Sequence, residues 1–566
     1  MILLERIGAV VVLSLFLAIG AQAQATFVAS QQEFNTAHSN ASPGDSIVWK
    51  SGTYSNIFMN IFRSDISVTA EELGATIFTG NSRVELQGDD LLFEGFQFLD
   101  GNIGNDDVIN VRGSNITITQ INIRAYRSYK YLRVREESQF VDITFCNFEN
   151  RLNLDDQNIL SILVDDNNPG FHKIQFCSFK NFAWSGNDLG IEPIRIGVSS
   201  QADYISRSLV EYCYFANCNG DGELISSKAR QNVYRFNTFE NNPLAELVLR
   251  HGSENIVYGN FFLSGKGGVR VREGQDQYIY NNYFYDLDDR PIILQNENSD
   301  PLDNIHIAFN TIINCDEMRL GGDGGNNDPT RVVISNNIFT DPKDDLFRDE
   351  TGLESWIGNI YLGSLGIPVP TNGLIEADPE LVENTEGFFG LSETSPAIDA
   401  AEDGYAFLPQ FDGIDDIDSE VLFDLMGQNR PALLEERDLG SNEFPHDITI
   451  QPFATEDNTG PSYETSPPSS VEDERLTASV IAITPNPVSN VLMITISNES
   501  KLIMKIDILN LDGQTIKSYP ERTIFPGKLV WSFDVEDLPA GLYSLLATSK
   551  DFLGGERIES IKFVKP

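Results

Sequence analysis

Residues 255–263 read NIVYGNFFL, residues 277–285 QYIYNNYFY and residues 304–312 NIHIAFNTI. Each is a short β-rich run, then Asn, one further residue, and Phe or Ile. The phrase recurs as FCNF ending at Phe148, FCSF at Phe179, YCYF at Phe215, FNTF at Phe239, GNFF at Phe262, NNYF at Phe284, FNTI at Ile312 and NNIF at Phe339. The anchors are 31, 36, 24, 23, 22, 28 and 27 residues apart. FEGFQF and NITITQINI read as two earlier turns of the same unit. Short β-runs with polar turns at a period of about 22 to 30 residues predict a parallel β-helix. One coil cannot bury its apolar face alone, so coils stack into a continuous core. Propeller blades would be more uniform and nearer about 40 residues long. The expected fold is all-β: a right-handed parallel β-helix followed by a small C-terminal β-sandwich.

The residue two before each anchor forms a column: Cys146, Cys177, Cys213, Asn237, Asn260, Asn282, Asn310 and Asn337. Stacked asparagines can bond their amides along the axis and tolerate a turn conformation. Cysteine in that column is a small buried residue rather than a nucleophile or half of a disulfide. With Cys218 and Cys315 the count is five, with no CxxC pair, which is a poor disulfide framework and a poor zinc site. A short helix around residues 31–37 and the phrase PGDSIVWKSGTY cap the N-terminal end. The repeat fades after about residue 345, and residues 391–399 and 438–444 read as irregular closing turns.

Residues 1–23 carry Arg6, an apolar run from Ile7 to Ile19, and Ala21-Gln22-Ala23 as a small-x-small cleavage site, which predicts an export signal. The run is too short to span a membrane comfortably, and no other stretch would do so. The β-helix is assigned to 24–445. Residues 446–478, rich in Pro, Ser, Thr and acids, read as a flexible linker. Residues 479–566 alternate β-runs with turns such as LDGQ and LPAG, as a β-sandwich would. Their phrases ITPNPVSN, IDILNLDGQTIKS, LPAGLYSL and IKFVKP resemble the C-terminal sorting domain of the type IX secretion system. That resemblance implies a secreted or cell-surface protein, the type IX machinery as partner, and a domain that is an address and not a catalyst.

The formal charge of −45 argues against nucleic acid and anionic membranes as partners. Against that field, residues 228–272 hold seven Lys/Arg and three acids. A local positive island on so acidic a chain fits an anionic substrate. Lys228 and Arg250 are 22 residues apart, one coil of this repeat. They should therefore stack about 5 Å apart on one face and project outward over one ligand. Asp221 and Glu223 alternate along a strand and suit a hard cation such as Ca²⁺, while a turn or bulge before Lys228 must bring the lysine to the same side. Arg270 and Arg272 follow one coil later as substrate-carboxylate contacts, and His251 adjoins Arg250. This set suits β-elimination on a uronate. A cation neutralises the carboxylate, a lysine with a depressed pKa takes the α-proton, and an acid serves the leaving oxygen.

The phrases ELISSK and LVLRHG one coil later, with GIEPIRIGVSS at 190–200 and GGVRV at 267–271, resemble polysaccharide lyase family 6, which contains alginate lyases and chondroitinase B. The resemblance runs over about residues 26–445. It implies Lys228 as base, Arg250 as acid, Asp221 and Glu223 as Ca²⁺ ligands, and alginate as substrate, with dermatan sulfate or chondroitin as the alternative. Two positions depart from the family pattern. Asp221 stands where Glu is usual, and the Asn ligand expected three residues before Glu192 is Leu189, leaving Asn187 or Asp188 beside it. A calcium-free site would place another cation, Arg195, over the carboxylate. The rival readings are a β-helix glycoside hydrolase, which needs convergent carboxylic acids and leaves the Lys/Arg pair unexplained, and a non-catalytic adhesin.

Overall fold

The structure is a computed structural model. It describes residues 23–153, 157–184, 190–295, 302–322, 328–384, 387–446 and 453–464, and toward the C-terminus 480–484, 491–498, 502–510, 514–524, 527–535, 538–551 and 556–565. Among these, three long parallel sheets of fourteen, fourteen and twelve strands run the length of a β-helix. Every coil contributes to the first sheet, turns within a residue or two into the second, and crosses a longer loop to the third.

The repeated phrase lies at the turn between the first two sheets. The residue before the column takes the left-handed conformation, as at Phe236 (φ 57°) and Phe309 (φ 55°). The column residue itself does not, so tolerance of that conformation is required one position earlier than the sequence suggests. The column asparagines donate to one another, Asn237 to Asn260, Asn260 to Asn282 and Asn282 to Asn310 at 3.0 Å, then Asn310 to Asn337 and Asn337 to Asn359 at 2.9 Å. This satisfies side-chain groups that are wholly buried. Cys146, Cys177 and Cys213 continue the column, buried and free. The anchors form an aromatic ladder inside the core, Phe148, Phe179, Phe215, Phe239, Phe262 and Phe284, with centroids 4.7 to 5.1 Å apart. That spacing is the strand spacing of a parallel sheet, so ring stacking and backbone pairing share one period.

The N-terminal helix, Gln31–Asn40, is a turn longer than expected and is capped by the Ser30 hydroxyl, which accepts from Glu33 N at 3.2 Å. Its Phe34 stacks on Trp49 and closes the core end. Parallel strands continue past residue 345, as Ser355–Ile357, Asn359–Leu362 and Leu374–Glu376. The closing turns then fold back over the edge between the first and second sheets, where Val421, Leu408 and Leu439 are buried in one cluster with Tyr258 and Tyr280 of the first and Ile338 of the second.

Part of the segment read as a flexible linker is a strap on the β-helix. Phe453 packs on Phe261 and Phe388. Lys180 pairs with Glu456 at 2.8 Å, and Gly460 N donates to Phe176 O at 2.8 Å. Ser462 N donates to Gln120 Oε1 at 2.7 Å, and Tyr463 lies against Gly74, where any Cβ would clash with its ring. Composition alone misread this stretch because its few aromatics are what dock. The C-terminal strands form antiparallel sheets of three and four strands around Leu492, Ile494, Ile506, Phe533, Leu545 and Phe563, a small sandwich. The expected export signal lies outside the described residues apart from Ala23.

Candidate active site

The third sheet carries three outward columns of polar side chains. In the first, Asp107 faces Lys130, Lys130 donates to Asn158 Oδ1, and Glu192, Glu223 and Glu246 follow on successive coils, Glu223 opposite Glu246. The second holds Asn110, Arg133, Ser161, Arg195, Ser226, Val248, Arg270, Ile293 and Arg319 in continuous register. The third begins one residue past the strand ends. Lys228 N donates to Ile196 O at 2.8 Å, Arg250 N to Ser227 O at 2.7 Å and Arg272 N to Leu249 O at 3.0 Å. Lys228, Arg250 and Arg272 are thus stacked at one ladder position on three consecutive coils. The register shifts between Glu223 and Ile225, the bulge that the sequence required to bring the acids and the lysine to one side.

Three carboxylates of the first column meet a guanidinium of another, Asp107 with Arg133 at 3.0 Å, while Glu246 makes no ion pair among the described residues. Arg195 clasps Glu192 with two nitrogens at 2.7 to 3.0 Å. Arg250 Nη1 donates to Glu223 Oε1 at 2.8 Å. Glu192 is 2 % exposed, and burial raises its pKa against the opposing pull of Arg195. Lys228 differs from these pairs. It is 9 % exposed, less outward than expected, and among the described residues it makes no ion pair. Burial first, then the charges of Arg195 and Arg250, lower its pKa. These causes favour the neutral amine.

Not all of the basic island belongs here. Arg230 pairs with Glu254 at 2.7 Å. Arg235 is buried on the first sheet, bonded to Glu211 at 2.6 Å and to the carbonyls of Asp415 and Asp416 in the closing turns. Conversely, the sequence reading passed over Lys130, Arg133 and Glu246. Lys130 is buried beside Arg133 and Arg195, and burial pushes its pKa down to about 7. Longer loops obscure the coil count upstream of residue 190, which hid its alignment. Counting 22 or 23 residues from Glu223 would have found Glu246.

For a metal, the donors are hard oxygens. Glu223 Oε2 is buried with no hydrogen-bond partner. Asp221 is 4 % exposed, its Oδ1 accepting from Glu223 N at 3.0 Å and its Oδ2 from Gly190 N. An orphaned carboxylate oxygen beside a second buried carboxylate fits a calcium ion in kind. Among the described residues, no three of His, Cys, Asp and Glu converge as a complete metal cradle. Asn187 and Asp188 lie outside the described residues.

More than half of the chain, residues 28–316, matches the chondroitinase B family. The chain is a member of the chondroitinase B family. Residues 482–553 match the secretion system C-terminal sorting domain. Both resemblances drawn from the sequence therefore hold. No curated protein matches the chain. Among solved structures, the PL6 family alginate lyase AlyGC superimposes with a TM-score of 0.62 at 20% identity, over 82% of this chain and 62% of that one. The chain thus spans less than two thirds of that lyase. A mannuronic acid specific polysaccharide family 6 lyase from human gut microbiota gives a TM-score of 0.54 at 23% identity, covering 63% of this chain and 87% of its own. The PL6 family polysaccharide lyase Pedsa3628 from Pseudopedobacter saltans gives 0.52 at 19%, covering 62% and 92%. At these identities the likeness establishes the fold that this member of the chondroitinase B family shares with them. Among its described residues no helix is long and apolar enough to cross a membrane.

Proposed function

We propose that this chain is a secreted polysaccharide lyase that cleaves a uronate polysaccharide, alginate before dermatan sulfate or chondroitin, by β-elimination. The observation that carries this reading is Lys228, a screened lysine without a carboxylate partner, held one coil from Arg250 by consecutive ladder bonds. Its neutral amine takes the proton from C5, next to the substrate carboxylate, and the electron pair left behind forms the C4–C5 double bond as the C4–O4 bond breaks. Arg250, oriented by Glu223, serves O4 as it leaves and supplies the proton that the new hydroxyl needs. Arg195, Arg270, Arg272 and His251 bind the flanking anionic sugar. Asp221 and Glu223, with Asp188 as a further donor, would hold Ca²⁺, which when bound supplies positive charge to the substrate carboxylate. Structural neighbours that are an alginate lyase and a mannuronic acid specific family 6 lyase favour alginate. The sorting domain favours export and delivery by the type IX machinery.

The test is ultraviolet absorbance of the unsaturated uronate product on alginate, dermatan sulfate and chondroitin. No rise on any of them defeats the lyase reading, and reducing ends without absorbance would point to hydrolysis. Lys228→Ala and Arg250→Ala should each lower kcat by roughly 10³-fold or more with the fold intact.

A further inference from the structure

Arg250-His251-Gly252 and Arg272-Glu273-Gly274 leave the third sheet at the same ladder position on consecutive coils, after Lys228-Ala229 on the coil before. The turns nest closely. A Cβ on Gly252 would lie 2.0 Å from Ala229 O, and one on Gly274 2.4 Å from Gly252 O. Such an approach seats Gly252 over Ala229 and Gly274 over Gly252, and sets His251 and Glu273 on neighbouring coils just past Arg250 and Arg272. His251 sits there with φ 72°, a left-handed conformation unusual outside glycine. Its Nδ1 is in ion-pair contact with Oε2 of Glu273, whose side chain is 0 % exposed. The imidazole is 16 % exposed, and among the described residues its Nε2 makes no hydrogen bond. A fully buried carboxylate in contact with one ring nitrogen is how an imidazole is fixed in one tautomer.

We propose that Glu273 is a positioning residue of this site. It holds His251 as the Nδ1–H tautomer, so that the Nε2 lone pair accepts a hydroxyl of the sugar bound at Arg250. The kinetic consequence rests on the lyase reading; the tautomer does not. Free imidazole side chains favour the Nε2–H form in water, so the assignment reverses the ordinary preference.

The chain has five histidines, His38, His172, His251, His306 and His446. Long-range ¹H–¹⁵N spectra of histidine-labelled full-length protein can therefore be assigned by the loss of one spin system in His251→Gln. At mildly alkaline pH the wild type should show His251 as Nδ1–H. Glu273→Gln, which retains an acceptor oxygen, should keep that pattern, and Glu273→Leu should convert it to Nε2–H. Should the leucine variant fail to fold, Glu273→Asp withdraws the carboxylate by one methylene and provides the same contrast. On substrate, Glu273→Leu should raise KM about tenfold with a smaller change in kcat, and should have no further effect in a His251→Ala background. An Nδ1–H signal that survives Glu273→Leu or Glu273→Asp, or effects of the two residues that simply add, would overturn the assignment. A wild type inactive on every uronate polymer would defeat the lyase reading and leave the spectra to decide the dyad.

Discussion

Arg195 and Glu192 should move the pH profile of the proposed elimination in opposite directions. Lys228 must lose its proton to act as a base, and Arg195 is the largest charge-based cause of its lowered pKa. In the ladder Arg195 faces Ser226, so it lies one coil over and two residues along from Lys228, roughly 8 Å away. At an effective dielectric constant of about 20, a unit charge at that distance disfavours the ammonium by about 2 kcal/mol. The Glu192 carboxylate, clasped to that guanidinium at 2.7 to 3.0 Å, lies no more than about 4 Å farther out and opposes this with about 1.4 kcal/mol. Losing the guanidinium leaves a carboxylate with 2 % exposure and no partner, which will protonate, so both charges vanish together. The net change in Arg195→Gln is then about 0.7 kcal/mol, or roughly half a pH unit, and the acid limb of kcat/KM shifts upward. Glu192→Gln leaves the guanidinium uncompensated and should shift the same limb downward. The assay is the initial rate of unsaturated-product formation across pH at low substrate. Shifts of the same sign in the two variants, or a limb that moves in neither, would refute the placement of Lys228 as a base tuned by this pair. A raised KM with an unmoved limb would assign Arg195 to substrate binding alone.

Chelation by EDTA should lower turnover and Ca²⁺ should restore it, as an orphaned Glu223 Oε2 beside Asp221 predicts; undiminished activity in the chelator would remove the metal and leave charge neutralisation to Arg195. A chain ending at residue 452 should melt several degrees below one ending at 464, because docking Phe453 and Tyr463 each contributes about 2 kcal/mol of apolar burial; equal melting temperatures would show that the strap adds nothing. Asp424 and Asp438 in the closing turns are both pushed up to about 6, chiefly by burial. A carboxyl raised in the folded state stabilises below its unfolded value and loses that contribution as pH rises through the folded one. Denaturant unfolding should therefore show each adding about 1 kcal/mol between about pH 7 and about pH 5, an increment that Asp424→Asn should diminish.

The fold was legible because one period governs three things at once. Backbone pairing, the stacking of Phe215 on Phe239 at 4.8 Å and the amide ladder from Asn237 to Asn359 all repeat once per coil. A side chain that must meet its equivalent in the next coil is constrained in type, and the constraint is written into the sequence as a recurring letter. Loops on either side of the third sheet carry no such constraint, so the coil count slipped where intervals reached 31 and 36 residues. The docked strap escaped notice for a related reason. Phe453 and Tyr463 are isolated aromatics without periodicity, and only the surfaces that receive them show what they do.

The site was legible to the extent that its residues keep the same period. Lys228, Arg250 and Arg272 fall at 22-residue intervals, and the structure stacks them at one ladder position. What spacing could not reveal is which charges are spent on each other. Arg235 looks as basic in the sequence as Arg250, yet it is buried on another sheet against Glu211. Arg195 looked like a free cation over the substrate, yet its fork closes on Glu192. A salt-bridged arginine still projects a field, because its partner carboxylate lies farther from the lysine than the guanidinium does. The consequence for mechanism is that this sheet sets two amines that make no ion pair among the described residues, Lys130 and Lys228, amid neutralised pairs. Of these two amines Lys228 is the one held one coil from Arg250, and burial together with the charges of Arg195 and Arg250 lowers its pKa, which favours the neutral base.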